Sequence, residues 1–275
     1  MSWQVVNLRP LGSGGNGDLF VGRRSDNGDQ VVVKYLREYH SADARNAFAR
    51  EARILARGLP GLVSLLFADM NVAPPYYVMP YVGGSLTRYA GRLTESQLHA
   101  VAADVGRTLA VLHAGYVAHG DIKPDNILVS QDGRLQVADP LGNGVGCTVL
   151  FSEHHGGTPG YWAPEVCAGG PISYVADVYS YGATLYELLT GRKPQDGRRL
   201  DPGLEGNAQT IRQLITACCQ FNPGARPSIQ EVFRMLRGEQ WADIQVARRQ
   251  RQGFWTVAAC FIGVVLLGAA LTADG

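Results

Sequence analysis

The sequence predicts an α+β protein of two lobes, a small β-rich lobe followed by a larger helical lobe, with one further helix near the C-terminus. First, short β-prone runs dominate residues 4–81. Second, apolar residues from Gly83 onward recur at helical spacing. Third, residues 254–273 form an uncharged apolar run. We therefore assign residues 1–82 to the first lobe and residues 83–240 to the second.

The composition fits a globular protein with a sizeable core. Of 275 residues, 46% are hydrophobic and 18% are charged, and this length suits one large domain or two small ones. The apolar content argues against a disordered protein. The net charge of +1 argues against a protein that binds nucleic acid through a strong basic field, so we expect no nucleic-acid partner.

The cysteines indicate neither a metal site nor a disulfide framework. There are five of them without metal-ligand spacing, and an odd number in a chain this long favours a reducing compartment. The N-terminus has neither the basic nor the apolar segment of a signal peptide.

The first lobe is predicted to consist of strands around one helix. Residues 4–8, 19–23 and 30–36 are β-prone, and Asn27-Gly28 is a hairpin turn signal between the last two runs. The helix is expected to start at Ser41 as N-cap and to end at Gly58. Residues 62–67 and 76–81 are predicted to be two more strands.

In the second lobe, the sequence predicts where two helices begin, where a hairpin turns and where one helix ends. The signals are the capping boxes Thr94/Gln97 and Ser228/Glu231, the turn Asp132-Gly133 inside residues 127–137, and Gly191 after an apolar helix over residues 174–190.

The apolar run over residues 254–273 is long enough to cross a bilayer. As a helix it would rise about 30 Å, the thickness of the hydrocarbon core. A buried core helix is the alternative, but such helices are usually shorter and carry a polar stripe. Trp255 lies at its start, and a basic juxtamembrane segment, residues 241–253, precedes it. By the positive-inside rule we predict a single-pass membrane protein whose preceding domain is cytoplasmic.

Ala259 and Gly263 lie four residues apart within this run. Small residues at this spacing form dimer faces between membrane helices, so a homodimer through this face is one expectation. The spacing also arises by chance in a span rich in Ala and Gly, so both interpretations stay open.

Lysine is scarce in this chain. Of the 25 basic residues, only Lys34, Lys123 and Lys193 are lysines, and the other 22 are arginines. An ammonium is a compact point charge and a guanidinium is a planar fork, so the two are not interchangeable at a phosphate site. Each lysine is therefore a candidate functional residue.

Residues 12–17 fit the pattern G-x-G-x-x-G. The pattern alone is weak in a chain with 34 glycines, and an ordinary glycine-rich turn is the alternative. A dinucleotide-binding loop would open a helix, but residues 18–21 predict a strand. The loop therefore belongs to a β-hairpin that can fold over phosphates with its backbone N–H groups.

Lys34 ends the apolar run of residues 31–33, so its charge points either to solvent or into a cleft. Glu51, on the inner face of the following helix, can pair with it. Such a pair would direct the ammonium at the α- and β-phosphates of a nucleotide.

The most specific pattern is His-Gly-Asp-Ile-Lys-Pro-Asp-Asn-Ile-Leu over residues 119–128. It resembles the catalytic loop of protein kinases, H-R-D-x-K-x-x-N, with Asp121, Lys123 and Asn126 at the family's spacing and an apolar strand after them. The chain thus resembles the eukaryotic-like (bacterial) Ser/Thr protein kinases, which implies the bilobal protein-kinase fold.

Downstream segments keep the order of that family. Asp139 stands where the family has its magnesium-binding Asp, and residues 157–165 resemble the end of an activation segment. Residues 177–182 resemble the helix that anchors the large lobe. Arg226 stands where the family has an arginine that pairs with the Ala-Pro-Glu carboxylate, which is Glu165 here. The resemblance covers about residues 5–238.

The resemblance implies that ATP and Mg²⁺ lie between the lobes. The adenine would bond the backbone near Pro80 and Val82, Met79 would close the rear of the pocket, and Lys34 would hold the α- and β-phosphates. Asn126 and Asp139 would bind Mg²⁺, which prefers oxygen ligands. The other expected nucleotide-site residues are Leu11, Gly12, Ser13, Gly14, Gly17, Leu19, Val32, Glu51 and Leu128.

The resemblance also implies the catalytic roles. Asp121 would accept the proton of the substrate hydroxyl, Lys123 would offset charge on the γ-phosphate, and Asn126 would complete the set. Lys123 and Thr158 are the residues of Ser/Thr-type kinases, so the expected partners are protein substrates with Ser or Thr acceptors.

The chain departs from the family at three places. Gly120 replaces the Arg that receives the activation-loop phosphate. Pro140 and Leu141 replace the Phe that packs under the helix bearing Glu51 and the Gly that gives a hinge its freedom. Val32 replaces a smaller Ala and narrows the part of the pocket that lies above the expected adenine.

Because every charged catalytic position is present, we expect an active membrane-anchored kinase. A pseudokinase scaffold that recruits partners to the membrane is the alternative that the departures favour, and the Ala-Pro-Glu segment speaks against a small-molecule kinase. The Arg- and Ala-rich composition favours a bacterial inner membrane by analogy, with a eukaryotic tail-anchored kinase as the alternative.

Overall fold

The computed structural model describes residues 3–14, 16–141, 143–144, 160–195, 200–203 and 208–250. Its N-terminal lobe is a five-stranded antiparallel sheet with one helix. The strands are β1 (Val5–Ser13), β2 (Gly17–Arg24), β3 (Gln30–Leu36), β4 (Phe67–Asp69) and β5 (Tyr76–Pro80), and the helix is α1 (Ala42–Leu55). The order in the sheet is β1-β2-β3-β5-β4, which puts β3 at its centre.

Local sequence signals explain the start of α1 and the turn before β3. The Ser41 side chain accepts a hydrogen bond from the Ala44 N–H and caps the helix, as predicted. The helix stops at Leu55, before Gly58, because the Gly58 N–H bonds to the Leu55 carbonyl in a turn of its own. Gly28 has a φ of 77° between β2 and β3, so the predicted hairpin is confirmed.

The strand predicted over residues 62–67 is wrong except at its last residue. Leu62 makes one isolated bridge with Val137, and the Val63 N–H donates to the Val137 carbonyl at 2.9 Å. The Leu66 N–H instead donates to the Val78 carbonyl in the N-terminal sheet at 2.8 Å. Because these bonds go to partners in both lobes, no continuous ladder forms, and the segment ties the lobes together.

The C-terminal lobe is mainly helical. Its helices are α2 (Glu95–Ala114), α3 (Pro164–Cys167), α4 (Tyr174–Thr190), α5 (Gln209–Cys218), α6 (Ile229–Leu236) and α7 (241–250). Its short strands are β6 (Gly84–Ser85), β7 (Val117–Ala118), β8 (Ile127–Val129), β9 (Leu135–Val137) and β10 (Asn143–Gly144). The pairing is β6-β8-β9 and β7-β10. The predicted α+β architecture of two lobes is thus confirmed.

The predicted helix signals of this lobe are confirmed. Capping boxes start α2 at Thr94 and α6 at Ser228. Gly191 ends α4 in the left-handed conformation, with a φ of 71°. Asp132-Gly133 turns the chain between β8 and β9, where Gly133 has a φ of 81°.

One hydrophobic core runs through both lobes. It joins Phe48 of α1 and Tyr77 of β5 to Leu109 of α2 and Ile215 of α5. Burial of this apolar surface supplies the main driving force for folding. The core therefore fixes α1 and β5, which face each other at the back of the N-terminal lobe.

The domain extends past residue 238, where the sequence resemblance ended. Ile244 of α7 is fully buried in the main core, and Arg248 of α7 pairs with Glu231 of α6. Within the residues that the structure describes, no helix is long and apolar enough to span a membrane. The run predicted to do so, residues 254–273, lies outside them.

Candidate active site

A cavity of about 530 Å³ is lined by residues of both lobes. Nine residues expected at the site lie on its wall. They are Ser13, Gly14, Leu19, Lys34, Glu51, Asp121, Lys123, Asn126 and Asp139. Residues far apart in sequence, on β3, α1 and the catalytic loop, therefore converge on one space of a size that suits a small-molecule ligand.

The other expected site residues are not among those that line this cavity. They are Leu11, Gly12, Gly17, Val32, Met79, Pro80, Val82 and Leu128. Val32 of β3 faces Met79 of β5 in register, and both are buried in the main core. Leu19, Val82 and Leu128 pack against that same core, whereas Leu11 is exposed.

Four residues on the cavity wall had not been assigned to the nucleotide or catalytic site. They are Asn16, Asp125, Leu141 and Lys193. The scarcity of lysine was the signal that could have placed Lys193 here. All three lysines line this cavity, whereas none of the arginines in the described part of the chain does so. Asp125 lies inside the catalytic-loop motif, where only its neighbours had been singled out.

Lys34 is held between two carboxylates. Its Nζ lies 2.7 Å from Glu51 Oε1 and 2.9 Å from Asp139 Oδ1. Only 2% of Lys34 is exposed, so the alternative of a solvated edge lysine is wrong. The predicted pairing with Glu51 is confirmed, and it places the ammonium at the inner end of the cavity.

The charges of this cluster shift one another's pKa. Burial alone would lower the pKa of Lys34, but the carboxylates of Asp139 and Glu51 outweigh it and hold that pKa well above its ordinary value. Burial raises the pKa of Asp139, but Lys34, a hydrogen bond with Glu51 and the charge of Lys123 together lower it more, so that pKa is below its ordinary value. Burial raises the pKa of Glu51 to about 7, against the opposing effect of Lys34. Lys34 and Asp139 are therefore charged at neutral pH.

A fully buried aspartate holds the backbone of the catalytic loop. Asp177 of α4 accepts the N–H groups of His119 and Gly120, each at 2.8 Å, and also contacts His113 Nε2 at 2.9 Å. The Thr184 hydroxyl, also on α4, donates to the Ile122 carbonyl at 3.2 Å. The loop is thus fixed from below by α4, which leaves its side chains free to face the cavity.

The two oxygens of Asp121 have different surroundings. Oδ2 accepts hydrogen bonds from Lys123 Nζ at 2.7 Å and from Asn126 Nδ2 at 2.8 Å. Oδ1 is buried and has no hydrogen-bond partner among the described residues. A buried carboxylate oxygen without a partner is costly and is uncommon outside functional sites. This oxygen is therefore the atom in the cavity best suited to accept a proton.

Asn126 and Asp139 fit a hard cation. Asn126 Nδ2 donates to both the backbone carbonyl and the side chain of Asp121, which leaves the amide oxygen as a ligand. Asp139 uses Oδ1 for Lys34 and keeps Oδ2. Both donors are oxygens of the kind that Mg²⁺ binds, and such sites are commonly completed by phosphates and water. No group of three or more His, Cys, Asp or Glu suited to a metal occurs among the described residues.

The backbone at Asp139 is strained. Its φ of 56° lies in the left-handed region, which costs a residue other than glycine about 1 kcal/mol or more. The bond from Lys34 to Oδ1 holds the side chain of this residue. Such strain concentrates at functional sites.

The glycine-rich loop folds back over Lys34 and Asp139. The Gly14 N–H donates to the Gly17 carbonyl at 2.8 Å, which closes the loop. A Cβ at Gly14 would lie 3.9 Å from both Asp139 Oδ2 and Lys34 Cε. A Cβ at Gly17 would lie 2.4 Å from the Tyr35 carbonyl oxygen, so only glycine fits there. The interpretation as a hairpin loop is confirmed, because β2 follows it.

The predicted pair of Arg226 and Glu165 is also present, as two hydrogen bonds of 2.7 Å each. It fixes α3 against the loop before α6. Residues 157–159, including Thr158, lie outside the described residues.

Gly120 leaves no room for a side chain without adjustment. Its φ is 84°, and a Cβ there would lie 2.8 Å from Ile172 Cδ1. Leu141 lines the cavity, and its N–H donates to the His119 carbonyl at 2.8 Å. The segment after Asp139 is therefore bonded to the catalytic loop, although Pro140 and Leu141 replace the family's residues.

Comparison with known proteins agrees with this arrangement. The family model described as protein kinase domain matches residues 5–236. The chain is 33% identical to a probable serine/threonine-protein kinase PkwA of Thermomonospora curvata, over 85% of this chain and 34% of that protein. It is 30% identical to the serine/threonine-protein kinase mos of Patiria pectinifera, over 82% of this chain and 72% of that protein.

A third similar protein is the serine/threonine-protein kinase AfsK of Streptomyces coelicolor. It is 30% identical over 83% of this chain and 31% of its own length. The chain thus spans about a third of the length of the two bacterial relatives and most of the length of the Patiria pectinifera relative.

Proposed function

Because the chain belongs to the protein kinase family, we propose that it transfers the γ-phosphate of ATP to serine or threonine hydroxyls of protein substrates. One observation carries the proposal. The buried Oδ1 of Asp121 has no partner among the described residues, and it belongs to a residue on the wall of the cavity that Lys34, Lys123, Asn126 and Asp139 also line. A proton acceptor, cations and oxygen ligands are the parts that phosphoryl transfer requires.

Each side chain has a role in this proposal. Lys34, fixed by Glu51 and Asp139, binds phosphate oxygens of ATP. Asp121 Oδ1 orients the substrate hydroxyl and accepts its proton, while Lys123 holds Oδ2 and carries positive charge toward the transferred phosphate. The backbone N–H groups of the glycine-rich loop cover the phosphates and exclude water.

Asn126 and Asp139 would hold Mg²⁺ through their side-chain oxygens. When bound with ATP, the ion supplies positive charge that stabilises the phosphate oxygens. Asn126 also fixes Asp121, because its amide donates to the oxygen that Lys123 contacts. The same residue thus serves the cation and the base.

The proposal includes a membrane location. Residues 254–273 carry no charge over a length that matches a bilayer, and arginines precede them. The kinase domain is then cytoplasmic and held at a bacterial inner membrane. The bacterial sources of similar kinases support the assignment to bacteria.

The test uses the full chain, purified in a mild detergent, with labelled ATP, Mg²⁺ and a generic protein substrate. We expect phosphoserine or phosphothreonine to form, and Asp121→Asn to lower the rate at least a hundredfold while keeping the unfolding temperature within a few degrees. The matched control is Asp132→Asn, which changes an exposed aspartate of the β8–β9 turn and should leave the rate unchanged.

Pro140 and Leu141 motivate the second candidate, a pseudokinase scaffold at the membrane. It makes the opposite prediction in the same assay. ATP binding without label on any protein, at equal levels in wild type and Asp121→Asn, would favour the scaffold and contradict the kinase.

A further inference from the structure

Tyr77 shares a carboxylate oxygen with Lys34. It lies on β5 directly opposite Lys34 of β3 in the sheet register. Its side chain is fully buried, and its hydroxyl donates to Glu51 Oε1 at 2.8 Å. That same oxygen accepts from Lys34 Nζ at 2.7 Å. Two neighbouring strands therefore hold one atom of the helix α1.

The ring of Tyr77 contacts the same helix at a second point. It packs on the ring of Phe48 with a centroid distance of 4.9 Å and an interplanar angle of 30°. Phe48 and Glu51 are three residues apart and so share a face of α1. Lys34 Nζ also lies 5.7 Å from the centroid of the Tyr77 ring. One side chain thus contacts both members of the ion pair and the body of the helix.

The position of Lys34 depends on the balance between two carboxylates. The ammonium has two acceptors, Glu51 and Asp139, at nearly equal distances. Of these two carboxylates, Glu51 receives a second bond, because its Oε1 accepts from both Lys34 Nζ and the Tyr77 hydroxyl. A second donor on Oε1 stabilises the carboxylate and fixes its orientation. Without that donor, Glu51 can turn away and Lys34 can move toward Asp139.

We propose that Tyr77 is a positioning residue of the nucleotide site, whose hydroxyl locks Glu51 and thereby sets the place of the Lys34 ammonium in the cavity. The proposal rests on the kinase function proposed above. It explains how α1 keeps its place although Pro140 offers no aromatic ring beneath it. The contacts of Tyr77 with Glu51, Lys34 and Phe48 supply that support from the sheet side.

The first test is Tyr77→Phe in the full chain, which removes the hydroxyl and keeps the ring. We expect kcat/KM for ATP to fall about tenfold, equivalent to about 1.4 kcal/mol, as for the loss of one hydrogen bond to a charged group. The matched control is Tyr181→Phe. Tyr181 is an equally buried tyrosine whose hydroxyl donates to the Ala102 carbonyl at 2.9 Å in the C-terminal lobe, and its loss should leave kcat/KM within twofold.

A double-mutant cycle separates positioning from a general effect on folding. If Tyr77 acts through Glu51, then adding Tyr77→Phe to a Glu51→Ala variant should change kcat/KM by less than twofold. A purely structural role predicts that the tenfold loss persists in the Glu51→Ala background. That persistence, or a Tyr77→Phe enzyme with wild-type kcat/KM, would overturn the proposal.

Hydrogen exchange tests the role of Tyr77 without depending on catalytic activity. Hydrogen exchange of α1 amides should be faster in Tyr77→Phe than in wild type, with α4 unchanged, and Tyr181→Phe should not show this difference. If wild type transfers no phosphate, the proposed function fails, while faster exchange in α1 still supports the role of Tyr77. Unchanged exchange in α1 would contradict the role whether or not the protein is active.

Discussion

Arg226 binds Glu165 through two hydrogen bonds of 2.7 Å each, although 61 residues separate them in the chain. The same guanidinium donates to the carbonyls of Gln220, Val175 and Phe221 at 2.8, 3.0 and 3.2 Å. The Arg226 side chain is fully buried, whereas that of Glu165 is a quarter exposed. One arginine therefore ties α3, the start of α4 and the loop after α5 together.

This pair predicts that mutation of Arg226 lowers the stability of the fold more than mutation of Glu165. Arg226→Met removes both charged bonds and leaves backbone carbonyls unpaired, so we expect the free energy of unfolding to fall by about 3 kcal/mol or more. Glu165→Gln keeps one acceptor and should cost clearly less. Urea unfolding at neutral pH measures both, beside Arg24→Met, which breaks an exposed pair with Asp26 and should not move the midpoint. Wild-type stability in Arg226→Met would contradict this.

Lys34→Met and Asp139→Asn should each reduce phosphotransfer at least a hundredfold, because both residues face phosphate or metal in the proposed site. The structure adds a cost in stability for Lys34→Met, since that change leaves the carboxylates of Glu51 and Asp139 without their buried cation. Rates with labelled ATP and unfolding midpoints check both statements. The control is Arg134→Met, an exposed residue paired with Asp132, which should leave both unchanged. Full activity in either site variant would contradict the assigned roles.

The sequence was informative where a motif fixes chemistry at short range. Asp121, Lys123 and Asn126 lie within six residues, and the structure places all three on one cavity wall. The contact of Tyr77 with Glu51 could not be predicted, because it depends on the register of β3 with β5 and on the packing of α1. The strand predicted over residues 62–67 was wrong for a related reason. Its backbone N–H groups bond to partners in both lobes, and periodicity does not reveal where hydrogen bonds go.

The helix α7 should be part of the folded domain. Ile244 is fully buried, and Arg248 donates to the Arg226 carbonyl at 3.0 Å besides pairing with Glu231. A chain that ends at residue 250 should therefore unfold at nearly the wild-type temperature, whereas one that ends at residue 240 should be less stable. Ile244→Ala should cost about 2 to 4 kcal/mol. Equal unfolding midpoints for the two truncations would contradict this.

A third truncation, which ends at residue 253, tests the membrane anchor. Removal of residues 254–275 should release a folded domain into the soluble fraction, because the apolar run is then gone. Fractionation after a high-salt wash measures this, and the full chain is the control. A truncated protein that stays with membranes would contradict the single anchor.

His119 should make stability depend on pH. Its Nδ1 accepts the Asp121 N–H at 3.2 Å, so the proton lies on Nε2, which donates to the Ala138 carbonyl at 3.1 Å. Burial lowers the pKa of His119 below its ordinary 6.5, although Asp177 opposes it. The folded protein then binds fewer protons than the unfolded chain, so the free energy of unfolding falls as pH drops through about 6.5, by up to about 1.4 kcal/mol per pH unit.

The measurement compares urea unfolding at pH 7.5 and 5.5 in wild type and His119→Asn. The variant should be less stable but should lose less stability between these pH values, because the titrating ring is absent. Comparing the two proteins cancels the contribution of Glu51, whose raised pKa acts in the opposite direction. An equal pH dependence in both would contradict a neutral His119.

The last prediction is that activity does not depend strongly on phosphorylation of Thr148 and Ser152, which lie outside the described residues. In the family, a loop phosphate bonds the arginine before the catalytic aspartate and orders the activation segment. Here Gly120 offers only a backbone N–H, which Asp177 already accepts at 2.8 Å. Arg134, a conceivable substitute, pairs with Asp132 at an exposed turn instead.

The test is a Thr148→Ala/Ser152→Ala double mutant, assayed beside phosphorylated and dephosphorylated wild type. We expect rates within about threefold of one another, and a tenfold loss in the mutant, about 1.4 kcal/mol of barrier, would show that loop phosphorylation controls the enzyme. Gly120→Arg gives a converse comparison, since it restores a guanidinium at the cost of displacing Ile172 and of left-handed strain. Because the missing group is then present, a loop phosphate should raise the rate in that background more than in wild type.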